Sequence, residues 1–282
     1  MKYSLVNGER AEAQPGLRGS CAHCQSDTIA KCGQKKIKHW AHKSKVSCDQ
    51  WWENEEKWHR DWKNYFPAEW QEKVHTDFTT GEKHIADIKT DKELIIEFQH
   101  SAIHPSEIQS REAFYKNMVW VIDGTRLKRD YPRFCEGFSE IELTDVDGYF
   151  RLYFPDECFP ESWLESSKPV YFDFQGITPL DQSDEMRASL WCLLPGRVDQ
   201  CAVVASISRK QFIDFSSNNP HLLPTRDRYF DEEKRIQSLR AEEAEAKKRI
   251  DLQAAEEKKR RELEAAARSE HMRRLRGRTF RL

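Results

Sequence analysis

Residues 86–99 read "ADIKTDKELIIEFQ", from Ala86 to Gln99. Apolar ends around a polar centre at Thr90–Glu93 describe two short strands joined by a turn. Side chains alternate across a strand, so Ile95, Glu97 and Gln99 share one face while Leu94, Ile96 and Phe98 share the other. A strand under purely structural constraint would place Val or Thr where Glu97 and Gln99 stand. Asp87 and Glu97 are equidistant from Lys92. An antiparallel hairpin centred there sets the two carboxylates opposite each other, with Cβ atoms ~4.5–5.5 Å apart. Two bare carboxylates that close repel, and one holds a proton unless a cation lies between them. Mg2+ suits such a place, because it takes one or two carboxylates and fills its shell with waters and phosphate oxygens.

The flanking sequence supplies the context. Trp51, Glu55, Trp58, Trp62 and Phe66 recur at spacings of three and four, the period of a helix, and Pro67 stops it. "EWQEKVHTDF", "KHIADIKT" and "ELIIEFQH" then read as three strands broken by "TTGE" and "TDK". A second helix opens at His104-Pro105-Ser106-Glu107 and runs to about Lys116, and the strand "MVWVID" ends at Gly124. The expected class is α/β (α+β), in the order helix, three strands, helix, strand.

That order, with Asp87 followed by Glu97-x-Gln99, resembles the PD-(D/E)XK (restriction-endonuclease-like) nuclease superfamily. The flanking "CAHC…HWAH", "ENEEKWHRDWKNYF", "HIADI", "IIEFQHSAI" and "SEIQSREAFYKNMVWVID" narrow the resemblance to the competence protein CoiA family. It covers residues 1–124 well and continues weakly to about Phe215. The resemblance implies a nuclease that hydrolyses phosphodiester bonds in DNA with Mg2+ or Mn2+ held by Asp87 and Glu97. The settings it suggests are DNA uptake, recombination or defence against phage. Gln99 stands where the superfamily usually has Lys, although Glu-x-Gln is the normal form in the narrower family; it is expected to orient a water or bond a phosphate. The superfamily often draws a further acid from the helix before the sheet. Glu56, His59 and Lys63 share a face there, making Glu56 the expected ligand and His59 a group that holds a water or a phosphate. On the second helix Arg111 is expected either to clamp a phosphate or to pair with Glu107. Trp51, Trp52, Trp58 and Trp62 read as core rather than as a base-stacking surface.

Cys21-x2-Cys24 precedes His39-x2-His42 by 14 residues, and the first pair and the gap suit a tetrahedral Zn2+ site. The His-x2-His pair is tighter than in common zinc fingers but matches the CoiA-like His-aromatic-Ala-His motif, with Trp40 as the aromatic. Ala22 replaces the family's usual Pro, and Cys32 and Cys48 stand as alternative ligands. Such a closed site would be structural. Six lysines and no acid lie between Lys31 and Ser47, so Lys35, Lys36, Lys38 and Lys43 are candidate phosphate contacts. Cys135, Cys158, Cys192 and Cys201 have no ligand spacing and read as buried thiols.

Residues 231–282 hold 16 Lys+Arg against 12 Asp+Glu, a net of +4; with −2 for the whole chain, residues 1–230 carry −6. No general positive field therefore marks the body as a nucleic-acid binder. The tail reads as a solvated helix with Glu243–Lys247, Glu256–Arg260, Glu257–Arg261 and Glu264–Arg268 at i,i+4, open to a protein partner. The expected division is 1–50, hairpin and zinc knuckle; 51–124, nuclease-like core; 125–230, a β-rich region of unassigned fold; and 231–282, the charged helix. With no signal-like segment and no apolar span, a soluble cytoplasmic chain is expected. The rival to the nuclease is a non-catalytic, zinc-stapled adaptor that binds nucleic acid or a recombination protein.

Overall fold

The computed structural model describes residues 1–44, 48–52, 55–176 and 184–278, the last four by their backbone. The chain opens with β1 (Tyr3–Val6), β2 (Glu9–Glu12), β3 (Arg18–Ser20), β4 (Asp27–Lys31) and β5 (His39–His42), an antiparallel sheet in the order β2-β1-β3-β4-β5. Asn7 and Gly8 join β1 to β2 with φ of 52° and 86°, the doubly left-handed turn that Asn-Gly favours.

Next come α1 (Lys57–Lys63), β6 (Gln71–Thr76), β7 (Lys83–Lys89), β8 (Ile95–Gln99), α2 (Pro105–Phe114) and β9 (Met118–Asp123). The order of helix, three strands, helix and strand is the one expected, but α1 is shorter than the Trp51–Phe66 pattern. The Asp49 carboxylate accepts the Trp51 amide at 3.0 Å, and that turn occupies the start of the expected helix. After α3 (Asp130–Gly137) follow β10 (Glu142–Leu143), β11 (Tyr149–Leu152), α4 (Pro155–Cys158), β12 (Val170–Asp173), α5 (Glu185–Ala188), β13 (Ser189–Leu193), β14 (Ala202–Ser208), α6 (Arg209–Asn218) and α7 (Arg226–Arg278).

Among the described residues, β6 to β14 form one nine-stranded sheet in the order β10-β11-β14-β13-β12-β9-β8-β7-β6. β8, β9 and β12 run parallel at its centre, and every residue of the three is buried. Strands covered on both faces need apolar runs, which "MVWVID" and "VYFD" supply. The region after residue 124 therefore extends the sheet instead of standing apart. Residues Met1–Tyr229 make one compact unit, and Phe230–Leu282 a second.

One sheet face carries α1 and α6: Trp62 stacks on Phe98 at 5.6 Å, and Phe212 meets Tyr171 at 4.7 Å. Asp173, wholly buried, anchors this face by accepting the indole N–H of Trp58 and of Trp62, each at 2.8 Å, and the Arg209 guanidinium at 2.7 Å. The other face holds the main core, including Trp120, Phe134, Phe159, Trp163 and Phe172. In the second unit most of the described helix side chains are exposed. Glu257 pairs with Arg261 at 2.6 Å, whereas Arg260 lies nearest Glu264, at 3.8 Å, and not Glu256. No helix of the described residues is long and apolar enough to cross a membrane.

Candidate active site

A row of acids forms where two strand ladders lapse. Ile88 pairs with Ile96 and Lys89 with Ile95, the register of a turn centred on Lys92. The next positions in that register are Asp87 and Glu97, where side chains replace the ladder. The Asp87 amide donates to Glu97 Oε1 at 3.2 Å, and the Phe98 amide to Asp87 Oδ2 at 3.0 Å. On the other side Gln71 pairs with Ile88 and Lys73 with Ala86, while Glu72 between them is unpaired at a φ of 46°. Such left-handed backbone is costly for a residue with a side chain, of order 1–3 kcal/mol. Glu72 holds it because its carboxylate accepts the amides of Lys2 at 2.6 Å and Tyr3 at 3.0 Å. Glu72, Asp87 and Glu97 thus lie side by side across three strands.

Two helices bring cations to the row. From α1, Lys63 Nζ is 2.7 Å from Glu55, 2.9 Å from Glu72 and 3.8 Å from Asp87, and His59 Nε2 is 2.8 Å from Asp87 Oδ1. From α2, Arg111 reaches Glu97 Oε2 at 3.2 Å, and it also donates to Glu107 at 2.5 Å and to the Trp51 carbonyl at 2.8 Å. The carboxylates are therefore not bare, as register alone would have them. Asp87, Glu97, Gln99, His59, Lys63 and Glu55 line a cavity of about 60 Å3, and Asp49, Glu72 and Arg111 complete its polar wall. That is room for an ion with a few waters.

Acids and cations crowd the cavity together. Arg60 pairs with Glu55, and His84 with Asp49 at 2.8 Å. Glu72, Asp87 and Glu97 then face Lys63, Arg111 and His59, and the N-terminal ammonium of Met1 also acts on Glu72. Burial alone would raise the Asp87 carboxyl, but His59 and then Lys63 and the Phe98 amide outweigh it and hold Asp87 below the usual range. Glu97 goes the other way: burial, then the charge of Asp87, push it up to about 8 against the pull of Arg111. Burial opposes the charge on Lys63 too, yet Glu72, Glu55 and Asp87 raise it and keep it protonated. Of the three acids in the row, Glu97 is thus the one whose charged form the cavity disfavours.

Two expected residues are displaced. Glu56 is exposed and does not line the cavity, because it is the N-cap of α1 in extended backbone, outside the helical period that aligned it with His59. Its neighbour Glu55 is turned inward by Arg60 and Lys63 and lines the cavity instead. Arg111 is only 4% exposed and its guanidinium is engaged on Glu97, Glu107 and Trp51, so it has no face for a substrate phosphate. Gln99 is buried at the wall, with Nε2 donating to the Ser101 carbonyl at 3.1 Å. Asp49 and Glu72 carried no local signal, since their partners are distant in sequence.

A second cluster gathers Cys21, Cys24, His42 and Cys48, whose ligand atoms all lie within 4.8 Å of one another. Cys21 Sγ is 3.6 Å from Cys48 Sγ, and Cys24 Sγ is 3.3 Å from His42 Nε2. A tetrahedral zinc with ~2.3 Å bonds separates its sulfurs by about 3.8 Å, so the cluster could hold Zn2+. Burial lowers the pKa of His42, favouring the neutral ring that binds metal. His39 is not among these ligands. Three residues apart on β5, His39 and His42 point to opposite faces, and His39 Nδ1 sits 2.9 Å from the Ile37 carbonyl. Cys48 takes its place. Applying the strand period to "HWAH" would have excluded His39 and His42 as a ligand pair from sequence. Lys35, Lys36, Lys38 and Lys43 are all exposed, and Lys45 lies outside the described residues.

The protein-family model described as competence protein CoiA, N-terminal domain, matches residues 17–50, and that of the CoiA nuclease-like domain matches residues 82–156. No curated protein and no solved structure matches the chain. The Cys3His cluster falls within one matched stretch, and Asp87, Glu97 and Gln99 fall within the other; Glu55 and α1, with His59 and Lys63, lie between them. Over these two stretches the chain is similar to the competence protein CoiA family.

Proposed function

We propose that this protein is a Mg2+- or Mn2+-dependent nuclease acting on DNA, with residues 51–124 as a PD-(D/E)XK core beside a zinc-stapled segment at residues 1–50. The observation that carries the reading is the Asp87–Glu97 pair at the wall of a small cavity, where burial and the charge of Asp87 push Glu97 up to about 8. A cation bound by the two carboxylates would lower the pKa of a water and polarise a phosphate oxygen. The chain's own residues do the rest. Lys63 places a fixed positive charge beside Asp87, which Gln99 cannot supply. His59, on the same carboxylate, is placed to hold a proton or a phosphate oxygen. Gln99 orients what enters the cavity. The exposed lysines at 35, 36, 38 and 43 are assigned to the phosphate backbone, and the charged helix to a protein partner.

One observation favours the non-catalytic adaptor: Asp87 and Glu97 already have His59, Lys63 and Arg111 as partners. The two readings part over metal. End-labelled single-stranded DNA, duplex DNA and RNA are incubated with the protein in Mg2+, Mn2+ or EDTA. The nuclease cuts DNA only with metal, and Asp87→Asn abolishes cutting while the protein stays folded. Nucleic-acid binding in EDTA without cleavage in either metal would establish the adaptor.

A further inference from the structure

The catalytic cavity is too small for a nucleotide, so a substrate must seat its bases elsewhere. A second cavity, of about 250 Å3, shares a wall with it: Met1, Asp49, Trp52 and Ile85 line both. Trp40, His39 and His42 form its other side. Trp52 is the odd member of the tryptophan group. Trp58 and Trp62 are 4% and 1% exposed, whereas Trp52 is 51% exposed, an indole left in solvent at the edge of a cavity. β5, which contributes His39 and His42, is flanked by the exposed Lys38 and Lys43. An aromatic platform, a base-sized cavity and flanking cations are the components by which proteins hold unpaired bases.

We propose that this cavity is a nucleobase subsite, and that the substrate is single-stranded nucleic acid whose base next to the scissile phosphate stacks on Trp52. The proposal rests on the nuclease reading for the word "scissile", but the base subsite itself needs no cleavage. A base inside a duplex is already stacked and paired, so it reaches such a platform only after being extruded at a cost of a few kcal/mol. A single strand carries no such cost. The common wall places the phosphate of a seated nucleotide toward Asp87 and Glu97, and its chain runs along Lys38 and Lys43.

The test is binding, measured without cleavage. Fluorescein-labelled oligo(dT) is titrated by anisotropy in EDTA-free buffer with Ca2+, against the same oligomer carrying single abasic positions and against a blunt duplex. Wild type should bind the single strand more tightly than the duplex. Trp52→Ala should weaken single-strand binding about tenfold, within the range of one base–aromatic stack, and Trp52→Phe should restore most of it. One abasic position should cost wild type a similar factor and cost Trp52→Ala nothing more, because the two changes remove the same contact. Additive losses overturn the proposal, as does equal or tighter binding of the duplex, or a Trp52→Ala protein that binds as wild type does. Cleavage by Trp52→Ala, or its absence in Asp87→Asn, bears on the nuclease reading alone.

Discussion

Glu97→Gln replaces a carboxyl pushed up to about 8 with its neutral isostere, and the consequence can be worked out over a defined pH window. In the unfolded chain Glu97 titrates near ~4.3. Between that value and about 8 the folded protein keeps a proton that the unfolded chain has lost. Stability from this group is therefore complete below ~4.3 and is lost as pH rises through the folded value, at ~1.4 kcal/mol per pH unit. The Gln variant has no such slope. From pH 6 to pH 8 it should gain roughly 2–3 kcal/mol on wild type, or roughly 5–10 °C in melting temperature. His84 and His100 are also raised by their carboxylate partners, but they are common to both proteins and cancel in the difference. Asp87 is lowered, so its contribution falls away only under acid conditions. The assay is thermal unfolding of both proteins from pH 5.5 to 8.5, without Mg2+ or Mn2+ and again with Mn2+. Added Mn2+ should flatten the wild-type curve, because a bound cation replaces the Glu97 proton, and should leave the variant unchanged. Parallel pH curves for the two proteins would refute the raised Glu97 carboxyl.

Cys48→Ser should release the metal from the N-terminal cluster and lower soluble yield, while His39→Ala should retain stoichiometric zinc by elemental analysis; the reverse outcome would restore His39 as a ligand. Lys63→Met should destabilise the protein by about 3–5 kcal/mol, the usual cost of leaving buried charges unpaired, since Glu55 and Glu72 both lose their cation. Urea unfolding measures it, and a loss under about 1 kcal/mol would show that Arg60 and the Lys2 and Tyr3 amides suffice.

What could be read from the sequence was what repeats over a few residues. The Asn7-Gly8 hairpin, the helix–strand order from α1 to β9, and the register about Lys92 all follow from turn chemistry and from periods of two and 3.6. These depend on neighbours along the chain, so a local reading reaches them. Partners distant along the chain were decided by tertiary structure. β12 joins β9 in parallel, which draws residues after 124 into the sheet. Glu55 displaces Glu56 because a cap residue leaves the helical period and because Lys63 and Arg60 wait on the inner side. Arg111 keeps the expected pairing with Glu107 and adds Glu97, 14 residues away. Asp49 and Glu72 enter the site through His84 and through the amides of Lys2 and Tyr3. The physical reason is common to these cases. A buried charge must be paired wherever the fold brings an opposite charge within reach, and sequence spacing does not record which one arrives.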